Sequence, residues 1–194
     1  MVAGLILAAG QGKRFGPEPK LAADLNGRSV LDHAIRAQCD VPELERVVVV
    51  LGAQAERVLE SVELGRAEVR RCPDWAQGQG ASLRCGMEFL IEEAGADRVV
   101  VTLGDEPLIG SSVIARLATE PAGTRALWNG RPGHPVVLGR EHLDGIRALQ
   151  GDRGARELLG DARGIECAEM GGAGSDIDTL EDLESVRHEA RAIL

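Results

Sequence analysis

The chain has 194 residues, 44% hydrophobic and 27% charged, a balance that predicts one folded domain over residues 1–194 and excludes a disordered chain. Aromatics reach only 2%, with no Tyr, which argues against base-stacking nucleic-acid modules and leaves the core to Val, Leu, Ile and Ala. Lys+Arg 22 against Asp+Glu 31 gives a net charge of −9, which disfavours nucleic acid and anionic membranes as partners.

The first apolar run, Val2–Ala8, is continuous and reads as a strand buried on both faces. It is too short to span a bilayer and has no basic residues ahead of it. Cys39, Cys72, Cys85 and Cys167 form no CxxC pair. Together these point to a reducing, cytoplasmic protein without zinc-knuckle or dithiol chemistry.

The strand runs into AAGQGKRFGPEPK, Ala8 to Lys20. Gly10, Gly12 and Gly16 let backbone amides approach a ligand, and Lys13, Arg14 and Lys20 face only Glu18, so residues 1–20 carry +2 within a chain of −9. Amides with clustered cations form a phosphate cradle. The spacing GxGxxxG is neither the dinucleotide fingerprint nor a Walker A loop. The competing reading is a surface turn with solvated charges. The position directly after a buried strand favours the cradle, because open α/β sheets bind ligands at the carboxyl ends of their strands.

Further along, a helix is expected at Ser29–Cys39, a strand at Val47–Leu51 and a helix at Gln54–Val62. A second Gly-rich loop, Cys72 to Ser82, enters a helix at Ala81–Ala94. Its helix start could offer amides to an anion or a base edge, or be an ordinary loop. A third strand is expected at Val99–Leu103, followed by Gly104–Asp105–Glu106–Pro107. An acidic residue at such a strand end suits a cation, since Mg²⁺ takes one or two carboxylates plus water and phosphate oxygens; without a phosphate loop Asp105 would read as a turn residue.

Pro107, Pro121, Pro132 and Pro135 predict short pieces in the second half: strands at Arg125–Trp128 and Pro135–Leu138, helices at Glu141–Leu149 and Ala155–Leu159. His134 in a Pro-rich turn reads first as structural. Arg153 and Arg156 could hold an acidic substrate group or be solvated charges at a helix start. In Ser175–Asp176–Ile177–Asp178–Thr179 the two carboxylates point to opposite sides if extended. By spacing alone Asp178 or Thr179 reads as the N-cap of a last helix, with Glu181 or Asp182 completing a capping box. That helix is expected to bury Leu180, Leu183, Val186 and Ile193. Alternating strands and helices make this an α/β protein with a mostly parallel sheet flanked by helices.

AAGQGKRFGPEPK resembles the signature loop of MobA-like nucleotidyltransferases. CPDWAQGQGASLRCGM, VTLGDEP, GHPVVL, GDRGAREL and DIDTLEDLE, in that order, are similar to the molybdenum cofactor cytidylyltransferase branch. The resemblance covers Leu5 to Glu184. It implies a Rossmann-like, GT-A-type fold and Mg²⁺-dependent transfer of a cytidylyl group from CTP to molybdopterin with release of pyrophosphate, and a molybdenum hydroxylase as recipient. It implies that Gly10, Gly12, Lys13, Arg14 and Gly16 hold the triphosphate and that Lys20 reaches the α-phosphate. Asp105 and Asp178 match metal ligands. Ala8 and Ala9 favour cytosine, and Gln79, Gly80 and Ser82 match the base-reading loop. The GHPVVL motif adds His134 to the binding set. Departures are Gly12 for a common Ser, Phe15 for Met, Glu106 for Gln or Met and Leu180 for Pro. The alternatives are transfer to a sugar phosphate or other small phosphorylated acceptor, and a non-catalytic maturation chaperone.

Overall fold

The computed structural model describes residues 1–151, 153–160, 162–170 and 175–193. The side chains of Arg156 and Ile193, for which roles were expected above, lie outside the described residues. In chain order the strands and helices are β1 (Val2–Ala8), β2 (Asp24–Leu25), β3 (Arg28–Ser29), α1 (Val30–Cys39), β4 (Arg46–Leu51), α2 (Ala55–Leu59) and β5 (Glu68–Arg71). Next come α3 (Gln79–Glu88), which continues as a π-helical turn over Phe89–Glu93, and β6 (Arg98–Leu103). The chain ends with α4 (Ser111–Ala118), β7 (Thr124–Trp128), β8 (Arg131–Gly139), α5 (Leu143–Ala148), α6 (Ala155–Leu158), β9 (Arg163–Glu166) and α7 (Leu180–Ile193).

The seven-stranded sheet has the order β5-β4-β1-β6-β8-β7-β9, and only β8 runs against its neighbours. The three continuous apolar runs are the central strands β4, β1 and β6, and helices cover both their faces. Leu5 and Leu7 of β1 face α3 and α5, in a cluster with Leu83, Met87 and Ile146. Ile6 and Ala8 face the opposite layer, with Leu31 and Ile35 of α1, Ile114 of α4 and Val186 of α7. An edge position explains the strands that the apolar pattern did not predict: β5 reads Glu-Val-Arg-Arg and β9 Arg-Gly-Ile-Glu, because half their surface meets water.

Two expectations are corrected. Leu180 is 61% exposed rather than buried, because it opens α7, whose inner stripe is Leu183, Val186 and Ala190. Pro132 and Pro135 do not break β8 as expected. Residues 136–139 pair with β6, whereas 131–135 have only β7 beside them, and Pro135 falls in a bulge between the Arg125↔Val136 and Ala126↔Gly133 pairs. A missing amide costs no ladder bond there.

Helix α3 carries one wall of the cleft described below, and it sits close to the sheet because Gly86 has no side chain. A Cβ at that position would lie 2.4 Å and 2.8 Å from the methyl carbons of Leu5, itself fully buried, and 3.0 Å from Val50. Gly86→Ala should therefore destabilise the fold by about 1–3 kcal/mol through overpacking. Chemical denaturation checks this, and an unchanged midpoint would show that the helix can lift away freely.

Candidate active site

The carboxyl ends of β1 and β6 lie side by side, joined there by the Gly104 amide donating to the Leu7 carbonyl at 2.9 Å. Above them opens a cleft of two lobes that share Leu7, Gly10, Gly12, Lys13 and Asp105. The smaller lobe, about 160 Å³, also meets Ala8, Arg14, Lys20 and Asp178. The larger, about 580 Å³, also meets Ala9, Gln11, Trp75, Gly78, Gln79 and Ser82.

The Gly-rich loop is anchored rather than free along its length. A turn closes with the Phe15 amide on the Gly12 carbonyl at 2.9 Å, and Gly12 takes φ 60°, where a glycine is favoured. Phe15 then plugs into the core, 5% exposed. Lys13 and Arg14 stand exposed on the turn, while Lys20, which opens a single 3-10 turn, is buried at 8% exposure.

A buried ammonium needs partners. Lys20 Nζ donates to Asp105 Oδ2 at 2.5 Å and to Asp178 Oδ1 at 3.1 Å, and Arg14 donates to Asp178 Oδ2 at 2.6 Å. Burial opposes the charge on Lys20, but Asp105 and then Asp178 outweigh it, so its pKa lies above the usual lysine value. The two carboxylates converge although they stand at 105 and 178. The amide of Ile177, a fully buried residue, donates to the Asp105 carbonyl at 2.9 Å and carries Asp178 to the cleft. Asp176 is exposed, so of this carboxylate pair only Asp178 reaches the site.

The cap of α7 falls to Thr179 and Asp182, which frees Asp178 for that role. The Asp182 amide donates to the Thr179 hydroxyl oxygen at 3.1 Å, and the Thr179 amide donates back to Asp182 at 2.7 Å. The Thr179 hydroxyl, followed by the Asp178 and Thr179 amides, holds the Asp182 carboxyl below its usual range. Its contribution to stability is thus full above the unfolded carboxyl pKa and is lost as the pH falls through the folded value.

Asp105 and Asp178 are the pair that could hold a divalent cation. They present two carboxylates around a point already favourable to positive charge, and the phosphates of a ligand would complete the coordination that Mg²⁺ takes. Among the described residues no group of three or more His, Cys, Asp or Glu forms a denser metal site.

The structure brings Ala8, Ala9, Gly10, Gly12, Lys13, Arg14, Lys20, Asp105 and Asp178 to one cleft, with Gln79 and Ser82 on the facing wall. Gly16, Gly80 and His134 lie off both lobes. Gly80 instead seats α3: its amide donates to the Gly151 carbonyl, and a Cβ there would lie 3.0 Å from the Arg153 carbonyl oxygen. His134 lies beside Glu106, Nδ1 3.6 Å from Glu106 Oε2. Glu106 is only 7% exposed and lines neither lobe, with Oε2 lacking a hydrogen-bond partner. Trp75 and Gln11 are lining residues that the motif reading missed. Trp75 could have been singled out as the one aromatic within the second Gly-rich loop.

The family described as MobA-like NTP transferase domain matches residues 4–166. Nicotine blue oxidoreductase of Paenarthrobacter nicotinovorans is 30% identical, over 94% of each chain. The bifunctional protein GlmU of Mycobacterium avium is 35% identical over 63% of this chain, which spans 26% of that protein. Among solved structures, a homologue of Mycobacterium tuberculosis Rv0371c from Mycobacterium sp. strain JC1 superposes with a TM-score of 0.83 at 26% identity, covering 100% of this chain and 98% of the other. A nucleotidyl transferase from Methanothermobacter shares the fold at a TM-score of 0.80 and 24% identity, over 99% of each. So does Rv0371c of M. tuberculosis in complex with manganese, at 0.77 and 22%, over 96% of this chain and 98% of that one.

Thr179→Ala removes the hydroxyl that both caps α7 and holds Asp182. It should lower the melting temperature by about 3 °C at neutral pH, with the deficit shrinking in acid as Asp182 is protonated. Thermal melts at the two pH values check this.

Proposed function

The chain belongs to the MobA-like NTP transferase family, and from that premise we propose that it transfers a cytidylyl group from CTP to the phosphate of a molybdopterin-type acceptor, releasing pyrophosphate. It is a nucleotidyltransferase; the nucleotide, the acceptor and the roles of the individual residues are the proposal. One observation carries it. Lys20 lies buried between Asp105 and Asp178, with Arg14 on the outer carboxylate, at the mouth of a glycine loop. That arrangement supports the reading, since fixed positive charge and two carboxylates able to hold a cation lie beside the loop where a triphosphate would bind.

An acceptor phosphate oxygen attacks the α-phosphorus as the bond to the bridging oxygen of pyrophosphate breaks. The phosphate monoester is already anionic near neutral pH, so no protein nucleophile is needed, and the chain contributes positioning and charge neutralisation. Lys20 would meet the transferring phosphate, and Lys13 and Arg14 the departing pyrophosphate. Asp105 and Asp178 would hold Mg²⁺, which when bound supplies charge neutralisation at the phosphates. A protein of the same fold was solved in complex with manganese, which is consistent with a divalent ion as the cofactor. Gln79 and Ser82 face the other lobe, where the cytosine would be read, with Ala9 leaving room beside it and Ala8 lining the smaller lobe. Gly10 and Gly12 line that path, and Gly16 closes the loop. A molybdenum hydroxylase would receive the product.

A second reading, transfer to a sugar phosphate or another small phosphorylated acceptor, uses the same groups, because they select a triphosphate and a cation and leave the acceptor open. The full-length likeness to a protein named an oxidoreductase adds a third arm to the test. A panel of the four nucleoside triphosphates with molybdopterin or sugar phosphates, scored by pyrophosphate release, and a parallel assay of the reduction of the dye nicotine blue separate these. The proposal expects pyrophosphate release with CTP and molybdopterin. Release only with a sugar phosphate, or dye reduction without release, overturns it.

Asp105→Ala should abolish pyrophosphate release while the circular dichroism spectrum stays that of the folded chain and the melting temperature falls, because Lys20 keeps only Asp178 as a carboxylate partner. Lys20→Ala should fold and turn over about 10²–10³-fold more slowly, the usual cost of deleting one preorganised electrostatic group. Parental rates in either variant would remove that residue from the chemistry.

A further inference from the structure

We propose that the Trp75 indole is the stacking platform for the nucleobase of the incoming nucleoside triphosphate. The inference rests on the nucleotidyl-transfer reading and adds a residue that supplies affinity without choosing the base. Only four aromatic residues occur in the chain, Phe15, Trp75, Phe89 and Trp128. Three have other work. Phe15 is buried in the core. Phe89 is engaged by the guanidinium groups of Arg46 and Arg70, at 5.0 Å and 4.9 Å from the ring centre. Trp128 packs on Gly133 and donates from Nε1 to the His134 carbonyl at 2.8 Å.

Trp75 alone of these lines the cleft, half-buried, and it does so in the larger lobe. It also lines a neighbouring groove of about 680 Å³ with Leu51 and Gly52, so the indole is the partition between the two spaces. Its mounting is rigid. The 3-10 turn Trp75–Gln77 closes with the Gly78 amide on the Trp75 carbonyl at 3.1 Å. The backbone of Gly52 lies flush behind the side chain, since a Cβ there would fall 2.4 Å from Trp75 Cβ and 2.6 Å from Cγ.

The direction of the bound molecule follows from the shared walls. Lys13, Gly12 and Asp105 belong to both lobes, so a triphosphate held at Lys20 extends its other end past them towards Trp75. That end is a planar base. A π-face accepts any of the four bases, because stacking reads no hydrogen-bond edge. Edge discrimination falls to Gln79 and Ser82 in the same lobe. The glycine at 52 acquires a reason: it lets the ring stand at the rim rather than be pushed across the lobe.

The test is binding of CTP, UTP, GTP and ATP to the full chain in Mg²⁺, with inorganic tripolyphosphate as the probe that has phosphates and no base. Calorimetry gives affinity, and tryptophan fluorescence reports contact with the ring. Trp75→Leu should weaken the tightest-binding nucleotide about ten-fold, leave the order of preference among the four unchanged and leave tripolyphosphate unchanged. Trp75→Phe should retain most of the affinity while losing the nucleotide-induced quench. Gly52→Ala, which displaces the ring without removing it, should weaken nucleotides as Trp75→Leu does. Nucleotide binding by Trp75→Leu within about two-fold of the parent, or an equal loss for tripolyphosphate, overturns the platform while the nucleotidyl-transfer reading stands. Failure of the parent chain to bind any nucleotide or tripolyphosphate overturns both.

Discussion

The buried ammonium of Lys20 is the constraint around which the cleft is arranged. Desolvating a single positive charge costs several kcal/mol unless it is paired and hydrogen-bonded. Here two carboxylates meet it, and they come from segments far apart in the chain, the end of β6 and the approach to α7. The pairing therefore ties three parts of the fold together, and the Ile177 amide on the Asp105 carbonyl makes the tie a backbone one as well. Lys20 and Arg14 balance Asp105 and Asp178, and Lys13 stands over as an exposed cation on the turn. On the proposed reading, a phosphate entering the lobe would meet that spare charge first and then compete with the carboxylates for Lys20 and Arg14.

Supporting elements hold this balance in place. Phe15 anchors the middle of the glycine loop in the core, so the amides around Gly10 and Gly12 ride on a seated turn. Thr179 and Asp182 satisfy the start of α7 between themselves, which leaves Asp178 free to face the cleft. Gly86 and Gly80 let α3 sit against Leu5 and the Gly151 turn, which brings Gln79 and Ser82 opposite the Gly-rich loop. One lobe is charged and the other mainly neutral, a division that matches a molecule with a polyanionic end and a planar end.

Much of the architecture was legible because burial on both faces leaves a plain mark. Val2–Ala8, Val47–Leu51 and Val99–Leu103 are apolar at nearly every position, and they are the central strands. The edge strands β5 and β9 carry charges on their wet side, so no apolar run marked them. The prolines of β8 suggested breaks, yet that strand holds Pro135 in a bulge where no ladder amide is required. Leu180 looked like part of an inner stripe because it lies three residues before Leu183, but it falls at the helix start, outside the packed layer.

The sequence by itself determined the ingredients of the site: glycines and cations directly after the first buried strand, and an acidic residue at the end of the third. These are local facts, since a strand end and the loop that follows it are contiguous in the chain. Only the tertiary structure decided which distant groups join them. Spacing around Asp178 favoured a helix cap, and its choice between cap and cleft turned on Thr179 and Asp182 satisfying the helix amides and on where Ile177 is buried. Likewise Trp75 is marked locally only as the one aromatic of its loop; its exposure to the cleft depends on the bare backbone of Gly52 behind it, supplied by another strand end. Pairing of charges and close approach of surfaces are properties of distance in space, and distance along the chain does not encode them.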